Sequence, residues 1–143
     1  MAKGRKGSNR RRPPKTRPKH RSALIGTIRV ARPGVAEVAT AEGTFPVARG
    51  GIREAMNGDT VGVTLSPAHH GPGKMARVQT VVTRATTSFV GIYGRLDPLG
   101  AVTPLDERIR RDFFVLPDDM SAERLGVGDG DLVRARILTY PSR

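Results

Sequence analysis

Gly58-Asp59-Thr60-Val61-Gly62-Val63 returns, altered but recognisable, as Gly130-Asp131-Leu132-Val133-Arg134-Ala135. In each copy the Gly-Asp pair suits a tight turn, because glycine enters positive φ without a steric penalty and a short aspartate side chain bonds to nearby backbone. The four residues after each pair alternate as a strand with one covered face does, and Val61, Val63 and Leu132 are expected to point inward. Two further pairs precede these in matching order: Gly26-Thr27-Ile28 with Gly91-Ile92-Tyr93, and Phe45-Pro46-Val47 with Phe113-Phe114-Val115. The three pairs lie 65, 68 and 72 residues apart, so the loops lengthen while the strand order holds.

Working outward, short β-branched segments separated by Gly, Pro or Asp read as strands over Leu24 to Val30, Val35 to Ala39, Thr44 to Val47, Thr60 to Leu65 and Arg77 to Val82. A second set covers Phe89 to Arg95, Ala101 to Pro104, Asp112 to Val115 and Asp131 to Leu138, with a helical turn at Ser121 to Leu125 capped by Ser121. The fold class is therefore all-β, with two tandem five-stranded barrels of the oligonucleotide-binding type. The first is expected over residues 22–83 and the second over 84–143, with the fifth strand of the second at or beyond the last residue. A single larger β-sandwich is the alternative.

Ahead of the strands, residues 1–21 hold ten cations and no acid: Lys3, Arg5, Lys6, Arg10, Arg11, Arg12, Lys15, Arg17, Lys19 and Arg21. With almost nothing apolar to bury, this stretch is expected to be a disordered basic arm. Its +10 leaves +2 of the chain's +12 for everything after it, so the excess charge belongs to the arm and points to an anionic partner. With no cysteine there is no thiolate metal site or disulfide framework, and a reducing cytoplasm is the expected location. No apolar run is long enough to cross a bilayer as a helix, and no membrane partner is expected. There is no phosphate-cradling P-loop, nucleophile elbow or dinucleotide fingerprint, and His69-His70 has no third ligand nearby, so no catalytic residue, metal ligand or cofactor is assigned.

Three stretches resemble the cold-shock region of the ribonuclease R and ribonuclease II family. They are Arg84-Ala85-Thr86-Thr87-Ser88-Phe89-Val90-Gly91, Leu105-Asp106-Glu107-Arg108-Ile109-Arg110-Arg111-Asp112-Phe113-Phe114-Val115, and Ala55-Met56-Asn57-Gly58-Asp59-Thr60-Val61. The resemblance covers roughly residues 22–143. It implies two cold-shock barrels preceding a catalytic domain that hydrolyses RNA from its 3′ end with Mg²⁺ held by aspartates. No such domain is found in these residues. The acids here, among them Asp106, Asp112, Asp118, Asp119, Asp129 and Asp131, suit turns and caps rather than that cluster. The family's paired aromatic rings on the second strand are replaced here by Gly34-Val35-Ala36-Glu37 and Pro98-Leu99-Gly100-Ala101.

The implied partner is single-stranded RNA, held by a cationic track plus whatever stacking surface remains. Phe114 is expected outward and available to stack a base, with Phe45 and Phe113 inward. Arg84, Arg108, Arg110 and Arg111 join the ten arm cations as candidate RNA-binding residues. Arg108 and Arg111 are expected on one side of a turn, with Arg110 on the other. Arg29, Arg49, Arg77 and Arg95 could extend the track. The expected role is RNA capture for a downstream exoribonuclease domain. The first alternative is a full, Mg²⁺-dependent exoribonuclease of which these residues are only a part, the second a non-enzymatic RNA chaperone or ribosome-associated protein, and the third a protein-interaction module.

Overall fold

The computed structural model describes residues 23–142. The basic arm therefore lies outside the described residues. Five strands build the first sheet: β1 (Leu24–Arg32), β2 (Val35–Thr40), β3 (Gly43–Pro46), β4 (Thr60–Pro67) and β5 (Lys74–Thr83). All neighbours are antiparallel, in the order β3-β2-β1-β4-β5. Pro33-Gly34 makes the first turn, with Gly34 at φ 76° where a type II turn requires a left-handed residue. Inward residues Ile28, Val30, Ala36, Val38, Val61, Val63, Ala76 and Val78 are buried, as period-2 alternation dictates. The outer edges of β3 and β5 are then brought together. Ala48 N–H donates to the Ala76 carbonyl at 2.8 Å, and Val78 N–H donates to the Gly51 carbonyl at 2.9 Å.

Four strands form the second sheet, in the order β8-β7-β6-β9: β6 (Ser88–Leu96), β7 (Leu99–Pro104), β8 (Phe113–Val115) and β9 (Leu132–Arg136). That order repeats β3-β2-β1-β4 strand for strand. The shared glycines have a shared cause: a Cβ on Gly26 would lie 2.6 Å from the Ala39 carbonyl oxygen, and one on Gly91 would lie 2.5 Å from that of Thr103. Neighbouring backbone passes too close for any side chain. Phe89, Val102 and Ile137 are buried beneath this sheet, with Tyr93, Ile109, Phe113, Val115, Val133 and Ala135 half-buried around them.

Two expectations need correction. Leu132 is 63% exposed, and Val133 faces the core. Val133 pairs with Gly91 as Val61 pairs with Gly26, so Leu132 occupies the place of Thr60 and points outward. Ser121 does not cap the helix α1 (Ser121–Leu125) but is its first residue. The Asp119 carboxylate accepts from the Ser121 N–H and hydroxyl, and these bonds hold its pKa below the ordinary carboxylate value.

The halves are locked together. Met56, from the loop before β4, is buried in the second core with Phe89, Val102 and Ile137. Asp59, fully buried, accepts from Met56 N–H at 2.8 Å, Ala85 N–H at 2.9 Å and the Arg84 guanidinium at 3.0 Å. That guanidinium also donates to the Glu54 carbonyl at 2.9 Å and to the Pro141 carbonyl at 3.3 Å, and lies 4.6 Å over the Tyr140 ring. A buried carboxylate is tolerated because each of these donors compensates its lost hydration.

Candidate nucleic-acid interface

Directly paired residues in an antiparallel sheet share a face, so the register maps the side that the second sheet turns away from its core. Phe114 pairs with Ala101, which pairs with Gly94. The next row is Thr103, Ile92 and Leu132; beyond it come Val90 with Arg134, then Ser88 with Arg136. Phe114 is 60% exposed. Its row continues onto buried Ala101 and then Gly94, where an added Cβ would meet nothing within 4 Å. Strand spacing and rise place Arg134 on the order of 20 Å from Phe114 across this face. Phe113 turns the other way, its ring centroid 4.7 Å from that of buried Phe89.

Residues 105–112 lead into β8 and present cations beside Phe114. Half-buried Ile109 packs on the second core and anchors this loop, and its N–H donates to the Asp106 carbonyl at 2.9 Å. Arg108 folds back onto Asp106, with its Nη2 2.7 Å and its Nε 2.9 Å from the two carboxylate oxygens. These bonds hold the Asp106 carboxyl below its ordinary pKa and push the Arg108 guanidinium up. Arg110 and Arg111 are exposed. Neither makes an ion pair among the described residues, so their charge remains available to an outside anion.

The candidate cations thus divide. Arg110 and Arg111 stand on the loop next to Phe114, while Arg108 shares its charge with Asp106. Arg84 is elsewhere: its side chain is 19% exposed, and its donors are taken up by Asp59 and two backbone carbonyls. Its bonds hold the two halves together, and they place it apart from the cations beside Phe114. Arg134 and Arg136 were missed by the sequence reading. Their alternation with Val133 and Ala135 was the signal that sets them on the outer face. Lys3, Arg5, Lys6, Arg10, Arg11, Arg12, Lys15, Arg17, Lys19 and Arg21 lie outside the described residues.

The equivalent row of the first sheet is Pro46, Glu37 and Arg29. It offers no aromatic ring, and its one cation, Arg29, stands directly opposite Glu37. Among the described residues, no three His, Asp or Glu side chains gather as a metal site would require. The second sheet has the chemistry to stack a base on Phe114 and to attract phosphates on either side.

No family model matches this chain. A ribonuclease R of Thermotoga maritima is 34% identical to it over 122 residues, which is 82% of this chain and 16% of that protein. The chain thus carries a region related to ribonuclease R and spans about a sixth of that relative's length. No helix among the described residues is long and apolar enough to cross a membrane.

Proposed function

We propose that this chain binds single-stranded RNA, with little base specificity, through the outer face of the second sheet, assisted by its amino-terminal cations. In this reading the two sheets are cold-shock-type barrels at the front of a ribonuclease R-like protein. They work in the cytoplasm and pass RNA to a 3′-to-5′ exoribonuclease domain, dependent on Mg²⁺, that lies outside these 143 residues. The observation that carries the proposal is the exposed Phe114 ring, preceded on its loop by the exposed Arg110 and Arg111, with Arg134 and Arg136 at the far side of the same outer face. Similarity to part of ribonuclease R supports RNA as the partner. So does the charge of +12, whose electrostatic attraction is independent of sequence.

The test is fluorescence anisotropy of a labelled oligouridylate titrated with the full chain at several salt concentrations. Binding should weaken steeply as salt rises, with a slope of about −0.7 per phosphate contact. Incubation with Mg²⁺ should leave the RNA intact. Absent binding at low salt would remove RNA as partner, and steady release of mononucleotides would overturn the assignment of catalysis to another domain.

A further inference from the structure

Between the far end of β6, the helix α1 and the loop that follows it lies a cavity of about 190 Å³. Gly126 leaves the helix at φ 65°, and two main-chain bonds fold the chain back on it: Gly126 N–H donates to the Glu123 carbonyl at 3.1 Å and Val127 N–H to the Ala122 carbonyl at 2.9 Å. The other end of the loop is tied to β6. Tyr93 N–H donates to the Asp131 carbonyl at 2.9 Å, Gly130 N–H donates to the Tyr93 carbonyl at 2.8 Å, and the Asp129 carboxylate accepts from Arg95 N–H. Gly128 N–H donates to the Asp131 carboxylate at 2.8 Å and closes the turn. Backbone bonds thus hold both walls.

Ala122 and Val127 line the cavity with apolar surface, and the half-buried Tyr93 ring adds an aromatic one. That ring lies over Gly100, where an added Cβ would stand 2.7 Å from both its hydroxyl oxygen and its Cε2. Three polar groups on the lining have unused capacity. Neither the Glu123 carboxylate nor the Tyr93 hydroxyl makes a hydrogen bond among the described residues, and Arg95 spends its Nε on Asp97 at 3.1 Å while both of its Nη groups stay free. An aromatic and apolar wall with a few convergent polar groups is the make-up of a ligand pocket. Glu123 and Asp129 outnumber the single Arg95 here, so a phosphate is repelled and a neutral ligand with donors of its own is favoured.

We infer that this cavity is a subsite for one guanine base. Guanine carries two adjacent donors, N1–H and the 2-amino group, on one edge and two acceptors, O6 and N7, on the next. Glu123 accepts from the first edge, the free Nη groups of Arg95 donate to the second, and the Tyr93 ring offers a stacking surface. Adenine and cytosine would turn a ring-nitrogen acceptor toward the carboxylate, and uracil a carbonyl on either side of its one N–H. Val115, next to Phe114, pairs with Gly100, so the cavity adjoins the strand that carries the exposed ring, and a base of the bound strand is its source. Only this choice of source rests on the RNA reading, since a free guanine nucleotide would make the same contacts. The outer face then holds RNA without reading it, and the cavity adds a preference at one nucleotide.

The probes are a labelled oligouridylate and the same strand carrying one guanosine, each titrated with the full chain by fluorescence anisotropy. The guanosine strand should bind about fivefold tighter. Inosine in its place keeps O6 and N7 but lacks the 2-amino group, and should remove most of that gain. Glu123→Gln, at an exposed side chain with no hydrogen bond to lose, should remove it as well, whereas Phe114→Ala should weaken both strands alike and keep their ratio. Titration with 5′-GMP alone, followed by amide NMR, distinguishes the sources. Shifts at Tyr93, Arg95 and Gly128 that 5′-AMP does not produce, without any gain from guanosine in the strand, would uphold the guanine site and overturn RNA as its source. The same shifts with neither strand bound would sink the RNA reading alone. Equal binding of the two strands with no such shifts, or a guanosine gain that survives Glu123→Gln, would overturn the inference.

Discussion

Pro46, Glu37 and Arg29 cross the first sheet where Phe114, Ala101 and Gly94 cross the second. Beneath the first lie ten buried apolar residues; beneath the second lie four, ringed by half-buried neighbours. One strand order thus serves two ends. The half whose outer face offers an anion little has a finished interior, and the half with an exposed ring and free cations has an unfinished one. Apolar burial is the main stabilising term, so the first sheet supplies most of the stability and the second presents the proposed binding surface.

The sharpest way to break that contrast is to remove the paired aspartates. Asp59→Ala leaves the Arg84 guanidinium and two N–H groups without their buried partner, and should cost about 3–5 kcal/mol in urea unfolding. Asp131→Ala frees one exposed N–H and should cost less than about 1 kcal/mol. Equal losses would make the two loops interchangeable. Next, Phe114→Ala should weaken oligouridylate binding by about 1 kcal/mol, while Pro46→Ala leaves it unchanged. Unaltered affinity with an intact fold would assign Phe114 to packing. Arg134→Ala with Arg136→Ala should then flatten the salt dependence by about 1.4 units of slope, and Arg29→Ala should not.

The smallest effect concerns pH. Hydrogen bonds from Arg108 lower the folded-state pKa of Asp106, so this carboxylate stabilises the fold above its unfolded pKa of about 3.9. That contribution is lost as pH falls through the lower folded value. The stability difference between the protein and its Asp106→Asn variant should therefore be present at neutral pH and vanish in acid. A difference independent of pH would remove the ion pair from the account of this loop.

Local chemistry was legible in the sequence, and distant partnership was not. Alternating Ile28, Val30, Val61 and Val63, bounded by Gly and Pro turns, identified strands because burial imposes period 2 within a few residues. The same locality oriented Phe45, Phe113 and Phe114. Leu132 was misread because alternation leaves its phase open until pairing with β6 sets it. Asp59 looked like a turn residue, and does make the turn. Its second task, holding Arg84, depends on Pro141 and Tyr140, more than fifty residues further along the chain. Ser121 falls one position later than the sequence places it: Met120 takes the N-cap position, and the Ser121 N–H and hydroxyl donate to the Asp119 carboxylate.

Met56 carries a consequence for synthesis. It belongs to the first half by position and to the second core by contact. As the chain leaves the ribosome from its amino end, this methionine is in place before Phe89, Val102 or Ile137 has emerged. The later half therefore needs a side chain made before it, and a rearranged gene that translated the halves in reverse order would deliver that side chain last.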